Sequence, residues 1–205
     1  NLTLALVQAR RLTPGHGHVL TLDAEVRKMR RDRMRIRDDM AEALAEDRFV
    51  LYYQPIFDVR GQRLSHCEAL VRMRKRDGDI VPPGAFIEVA EHSGQISAIQ
   101  KVVLRKAIQM QAELQRAGHA LGISINLAAK TFEDPLLLEQ VKSLLRETGA
   151  GADRLIFEIV ESEAIANLVT AQLIAGELTE LGARFAFDDF GDVTVEGAYR
   201  NLQTE

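Results

Sequence analysis

The chain has 205 residues, of which 46% are hydrophobic and 27% are charged, so it can bury a substantial core and is predicted to form one full domain plus an appendage. A formal charge of −4 excludes a strong overall attraction to nucleic acid polymers or anionic membranes. The single cysteine, Cys67, excludes an internal disulfide framework and fits a reducing cytoplasm, and no apolar run reaches the roughly 18 residues of a membrane span.

The first part of the sequence divides into two segments. Residues 1–22 contain a helix-like stretch, a Pro14-Gly15 break and a short strand candidate, which are too little for a core of their own. In residues 23–47, the apolar residues recur at helical spacing. This second segment is predicted to be a connecting helix.

Basic residues are concentrated in the predicted connecting helix. They are Arg27, Lys28, Arg30, Arg31, Arg33, Arg35 and Arg37. Such a cluster could contact phosphate, but the acidic residues between and after them favour a solvated helix face. We assign this segment no ligand.

From residue 49 onward, strand-like and helix-like patterns alternate. Strands are predicted over residues 49–56, 66–73, 123–127, 155–160 and 183–187, and helices over 96–116, 135–146 and 164–181. Asp134 is a candidate N-cap for the second of these helices, because Pro135 suits a first helical position. The alternation predicts a parallel sheet with helices outside it.

Polar side chains follow the apolar stretch of several predicted strands. Asn126, Glu158 and the pair Asp188-Asp189 each close such a stretch, and Glu68 lies within the second strand. Because active groups of a parallel barrel gather at the carboxyl ends of its strands, these oxygens are expected to converge at one mouth. Oxygen donors without a cysteine pair or spaced histidines favour Mg²⁺, Mn²⁺ or Ca²⁺ over zinc.

The adjacent carboxylates of Asp188 and Asp189 admit two interpretations. Two ionised carboxylates repel each other unless a cation lies between them, and a pair of such cations could promote an in-line displacement at phosphorus. Aspartate is also common in turns at strand ends. The pair by itself therefore leaves a structural role open.

Five motifs in sequence order resemble the EAL-domain family of cyclic di-GMP phosphodiesterases. They are Leu51-Tyr52-Tyr53-Gln54-Pro55-Ile56, Glu68-Ala69-Leu70-Val71-Arg72, Ile125-Asn126-Leu127, Glu158-Ile159-Val160-Glu161 and Asp188-Asp189-Phe190-Gly191. The resemblance implies an α/β fold, a modified TIM (β/α)8 barrel. It also implies hydrolysis of cyclic di-GMP to pGpG with two Mg²⁺ or Mn²⁺ ions, in bacterial second-messenger signalling.

The resemblance also implies roles for individual residues. The implied metal ligands are Glu68, Asn126, Glu158, Asp188 and Asp189, of which Glu68, Asp188 and Asp189 would be catalytic. Gln54 and Arg72 match positions that contact the bound dinucleotide, and the forked donors of arginine suit a phosphate.

The same resemblance predicts the domain organisation. Residues 1–22 loosely resemble the end of a GGDEF domain, residues 23–47 would connect it, and residues 48–205 would form the EAL domain. An upstream GGDEF or sensor domain and a homodimer are expected. A longer parent protein could be anchored to a membrane.

Three features depart from the family pattern. Asp192-Val193-Thr194-Val195 replaces the Thr-Gly-Tyr-Ser-Ser-Leu segment that usually follows the Asp-Asp-Phe-Gly motif, and the later Lys-Ile-Asp strand end is absent. The stretch from Phe49 onward is also shorter than the about 250 residues of a complete barrel, so barrel units are expected to be missing. Segment 193–197 faintly resembles a later strand, which would make Glu196 a further site residue. These departures leave open an inactive module that binds cyclic di-GMP without hydrolysing it.

Overall fold

The computed structural model describes residues 24–58, 62–160 and 168–188, with the side chains at 24, 25, 133, 160, 168, 187 and 188 left out. The predictions for residues 1–22, for Asp189 and for the segment after it lie outside these ranges. The chain divides into two compact units, residues 1–36 and 37–205. No helix in the described ranges is both long and apolar enough to cross a membrane.

The predicted connecting helix is present as α1, Ala24–Ala45. In the second unit its last turns bury Met40 and Ala43 completely. Asp47 then adopts a left-handed conformation with φ 51°, which turns the chain into the first strand. The Nη1 atom of Arg48 donates to the carbonyl of Arg74 over 2.7 Å. This contact ties the turn after α1 to the end of the second strand.

In the described ranges, six strands form one mixed sheet. They are β1 Phe49–Asp58, β2 Arg63–Arg74, β3 Ile80–Val81, β4 Gly122–Asn126, β5 Leu155–Val160 and β6 Arg184–Asp188. Their order is β1-β2-β4-β5-β6, with β3 also paired to β2. The predicted parallel arrangement is confirmed for β2, β4, β5 and β6. However, β1 pairs antiparallel with β2, because the segment 59–62 between them is too short for a parallel crossover.

The described helices largely match the predicted pattern. They are α2 Ile87–Ser93, α3 Ile96–Arg116, α4 Leu137–Thr148 and α5 Leu168–Glu180. The α2 helix was not predicted. The α4 helix begins at Leu137 and not at Pro135, and the Oδ1 atom of Asp134 accepts from the backbone N–H of Leu136 over 2.9 Å. Asp134 therefore stabilises the turn before α4 and does not cap the helix.

One face of the sheet packs beneath the helices. Successive strand residues point to opposite faces, so every second residue contributes to this layer. Its fully or almost fully buried strand residues are Phe49, Ala69, Met73, Ile123, Ile125, Leu155, Phe157 and Ile159. On α3, the buried residues are Ile96, Ile99, Gln100, Val103, Leu104, Ala107, Ile108, Gln111 and Ala112. The core lies between these two layers.

Tyr53 lies on the helix-covered side of β1, where it lines a cavity of about 260 Å³ together with Lys106, Met110 and Glu113 of α3. Burial raises the pKa of the Tyr53 phenol to about 12, and the negative charge of Glu113 adds to the effect. The fold therefore favours the neutral phenol.

This pKa predicts an alkaline loss of stability. Below the pKa of about 10 for tyrosine in an unfolded chain, Tyr53 is neutral in both states and the unfolding free energy is unaffected. As the pH rises from there towards about 12, the unfolded state loses the proton first and the folded state is destabilised. Denaturant unfolding at two alkaline pH values should show a larger loss for the wild type than for Tyr53→Phe. Equal losses in the two proteins would contradict the assignment.

Candidate functional site

The predicted site residues whose side chains are described share one face of the sheet, which we call the inner face. The register pairs Gln54 with Glu68, Glu68 with Ser124, and Asn126 with Glu158. Paired residues on neighbouring strands point to the same side, and residues two apart on one strand do so too, so these side chains lie on one face of four strands in two adjacent rows. The inner face is therefore the opposite face from the apolar layer under α3.

The carboxylate of Glu68 and the amide of Asn126 are in direct contact. The Nδ2 atom of Asn126 donates to Oε1 of Glu68 over 2.8 Å, and both side chains are half-buried. The bond joins β2 to β4 near the carboxyl end of β4. It orients one carboxylate oxygen, as expected for a residue that must be held in a fixed position.

Glu158 lies beside Asn126 in the register of β4 and β5. Its backbone carbonyl accepts from the N–H of Leu127 over 2.7 Å, which extends the strand pairing past the end of β4. In β6, Asp188 pairs with Val160, two residues beyond Glu158. The side chain of Asp188 and the whole of Asp189 are outside the described part, so their predicted roles stay predictions.

Arg72 occupies the inner face two pleats beyond Glu68, near the carboxyl end of β2. Its guanidinium carbon lies 5.6 Å from the centre of the Tyr52 ring, within the range of a cation–π contact. The Nη1 atom of Arg72 also donates to the carbonyl of Val71 over 2.9 Å. Tyr52 is 49% exposed, so its ring holds the Arg72 guanidinium at an exposed part of the inner face. Gln54, on the neighbouring β1, is exposed.

His66 and Cys67 precede Glu68 in β2, and the pKa of each is shifted by burial. Burial lowers the pKa of His66, the charge of Arg184 lowers it further and the charge of Glu68 opposes both, so the fold favours the neutral imidazole. Burial raises the pKa of the Cys67 thiol, which is therefore a poor nucleophile. The half-buried position of Cys67 fits a packing role.

The described donors suit a hard divalent cation. Glu68, Asn126 and Glu158 offer only oxygen ligands on the inner face, which is the donor type that Mg²⁺ and Mn²⁺ prefer. Among the described residues, no group of three His, Cys, Asp or Glu side chains forms a metal cluster. Of the predicted ligands, the structure therefore places one amide, that of Asn126, and two carboxylates, those of Glu68 and Glu158, on the inner face.

Gln100 of α3 contacts the strand that carries Asn126 but was not predicted as a site residue, and it is 6% exposed. Its Nε2 atom donates to the carbonyl of Asn126 over 3.1 Å, and its Oε1 atom accepts from the N–H of Ala128 over 3.3 Å. A polar residue on the apolar face of a helix, between Ile99 and Val103, is the signal that could have identified it.

The EAL domain family matches residues 37–195. Signaling protein YkoW of Bacillus subtilis is 38% identical over 152 residues, which cover 74% of this chain and 19% of that protein. Cyclic di-GMP phosphodiesterase PdeF of Escherichia coli is 32% identical over 161 residues, which cover 78% of this chain and 21% of that protein. The chain thus spans about a fifth of the length of these relatives.

Solved structures show the same fold. The EAL domain of Xanthomonas citri FimX in complex with c-diGMP aligns with a TM-score of 0.70 at 27% identity, over 78% of this chain and 62% of that one. The PaMucR phosphodiesterase in a c-di-GMP complex aligns with a TM-score of 0.74 at 29% identity, over 79% and 66% of the two chains. The predicted EAL-type α/β fold is confirmed, and the described strands form an incomplete TIM-like barrel. By its sequence and by its fold, this chain belongs to the EAL domain family.

Proposed function

We propose that this chain hydrolyses cyclic di-GMP to pGpG in a reaction that depends on divalent cations. The observation that carries the proposal is the 2.8 Å contact between Asn126 and Glu68 on the inner face, with Glu158 in register beside it. Relatives named cyclic di-GMP phosphodiesterases support the reaction, and EAL domains solved with c-di-GMP support the ligand.

Two Mg²⁺ or Mn²⁺ ions are proposed as cofactors. The residues that would hold them are Glu68, Asn126, Glu158, Asp188 and Asp189. When bound, such ions lower the pKa of water and neutralise the charge of a phosphodiester. The oxygen donors on the inner face fit this chemistry, and the Asn126 amide holds one Glu68 oxygen in place.

Arg72 and Gln54 would bind the dinucleotide. Both lie on the inner face with Glu68, and a guanidinium offers paired donors to phosphate oxygens. Because Tyr52 and the Val71 carbonyl contact the Arg72 side chain, its orientation is set before a ligand arrives. Preorganised donors of this kind favour binding because less side-chain freedom is lost.

Product analysis tests the proposal. Protein carrying the full chain is incubated with cyclic di-GMP and Mg²⁺, and the nucleotides are separated by chromatography. We expect linear pGpG to form, to fall to background when EDTA removes divalent cations, and to return when Mn²⁺ is added. Intact binding of cyclic di-GMP without pGpG in either metal would contradict hydrolysis.

A receptor that binds cyclic di-GMP without hydrolysing it is the second candidate. The sequence Asp192-Val193-Thr194-Val195, in place of the usual segment after Gly191, favours it. Calorimetry measures the binding of cyclic di-GMP in the presence of Ca²⁺, and the product assay measures pGpG formation in Mg²⁺. Together the two measurements separate the two candidates. Binding with product supports the hydrolase, and binding without product supports the receptor.

A further inference from the structure

Two buried glutamines on α3 contact the two ends of β4. Gln111, which is fully buried, donates from Nε2 to the carbonyl of Leu121, the residue before the strand, over 3.1 Å. Gln100 donates from Nε2 to the carbonyl of Asn126, the last residue of the strand, over 3.1 Å. The two glutamines are chemically alike, but only Gln100 contacts the end of the strand that carries a site residue.

The spacing of the two contacts matches the strand. The step from Gln100 to Gln111 advances about 16 Å along an α-helix at about 1.5 Å per residue. The step from Leu121 to Asn126 also covers about 16 Å at about 3.3 Å per strand residue. Helix and strand are therefore fixed to each other at both ends of β4.

Gln100 makes a second contact that Gln111 lacks. Its Oε1 atom accepts from the N–H of Ala128 over 3.3 Å, whereas Oε1 of Gln111 has no hydrogen-bond partner in the described part of the chain. One amide therefore satisfies both the carbonyl of Asn126 and the N–H two residues later. Since a buried amide matched at both atoms resists rotation, it fixes the backbone where β4 passes into the following loop.

That backbone carries the amide that holds Glu68. The side chain of Asn126 leaves the inner face of β4 and donates to Oε1 of Glu68 over 2.8 Å, while its carbonyl is held from the helix side by Gln100. A chain of hydrogen bonds thus runs from α3 through the sheet to the Glu68 carboxylate.

We propose that Gln100 is a positioning residue that fixes Asn126, and through it the Glu68 carboxylate, from the helix side of the sheet. The proposal rests on the proposed function in treating Asn126 and Glu68 as cation ligands. Gln100 touches neither substrate nor cation. It acts through the backbone of residues 126–128, as hydrogen-bond partners of metal ligands do.

A matched pair of variants of the full chain tests this inference. Gln100→Met and Gln111→Met each replace a buried amide on α3 with an apolar side chain of similar length, so both lose a helix-to-strand contact. With Mn²⁺ alone as the probe, we expect Gln100→Met to weaken binding by about 10–100-fold, as loss of such partners typically does. Gln111→Met should leave the Mn²⁺ affinity unchanged. Equal weakening in both variants would overturn the inference.

A second measurement needs no cation. In nuclear magnetic resonance spectra of the metal-free chain, Gln100→Met should speed hydrogen exchange at the Ala128 amide and shift the Asn126 side-chain amide signals, and Gln111→Met should do neither. Unchanged Asn126 and Ala128 signals in Gln100→Met would overturn the positioning role.

The two measurements also separate this inference from the proposed function. If the wild-type chain binds no Mn²⁺, the proposed dependence on divalent cations is wrong. The hydrogen-exchange data would still decide whether Gln100 fixes the backbone of Asn126. If Gln100→Met does not fold, Gln100→Asn keeps the amide on a side chain one methylene shorter, too short to make both contacts. It should give the same loss of Ala128 protection, and full protection in this variant would overturn the inference.

Discussion

Replacing Glu68 with glutamine is expected to lower the rate of pGpG formation by on the order of 10²–10³-fold, the usual cost of losing one preorganised electrostatic group at a reaction centre. Glutamine keeps the size of the side chain and can still accept from Asn126 Nδ2, but it removes the negative charge that a divalent cation requires. Initial rates with cyclic di-GMP and Mg²⁺ measure the effect.

Glu180→Gln is the matched control, because it removes the same charge from an exposed position at the end of α5 that belongs to none of the five motifs. It should retain the wild-type rate. If Glu68→Gln hydrolyses cyclic di-GMP as fast as Glu180→Gln does, Glu68 is not a catalytic residue.

Truncating Phe157 to alanine is expected to lower the unfolding free energy by about 3–5 kcal/mol, the usual cost of replacing a buried phenylalanine with alanine. Phe157 is fully buried in β5, between the sheet and its helices, so its removal leaves a cavity. A loss of this size is a large part of the about 5–15 kcal/mol that stabilises a typical domain. Urea unfolding followed by circular dichroism measures it.

Phe57→Ala provides the comparison, since Phe57 is 62% exposed near the end of β1. Removing an exposed ring leaves no cavity, so this variant should unfold close to the wild-type midpoint. Similar losses in the two variants would mean that the helix-covered face of β5 is not the core.

Most of the described strands and helices were predictable from the sequence. Residues 155–160 were predicted as a strand and form β5 with the same bounds, and residues 96–116 were predicted as a helix and form α3. In α3 the apolar residues recur at a helical period, whereas β5 is a short apolar run in which Glu158 is the one polar residue. The bounds of β1 and β2 were predicted less well, since their ends carry exposed residues.

The direction of β1 was not predictable from the same pattern. A strand has the same period of two in a parallel and in an antiparallel sheet, so its direction follows from the short segment 59–62 and the pairing with β2, and not from the period. The short α2 helix was missed for a related reason. At seven residues, it is too brief to show a helical period clearly.

Candidate ligands were visible in the sequence, but their contacts were not. Glu68 and Asn126 are separated by 58 positions, and no local pattern predicts that Nδ2 of one lies 2.8 Å from Oε1 of the other. The register between β2 and β4 decides that distance. The same holds for Arg72 and Tyr52, which adjoin only because β1 folds back along β2.

The sequence by itself determined the kinds of donor, their order and the alternation of strands and helices, because residue chemistry and period are local properties of a chain. The tertiary structure decided that Gln54, Glu68, Asn126 and Glu158 share one face. It also decided that Gln100 contacts the carboxyl end of β4 from the helix side of the sheet. Those facts depend on strand register and helix packing, which follow from burying the opposite face of every strand at the same time.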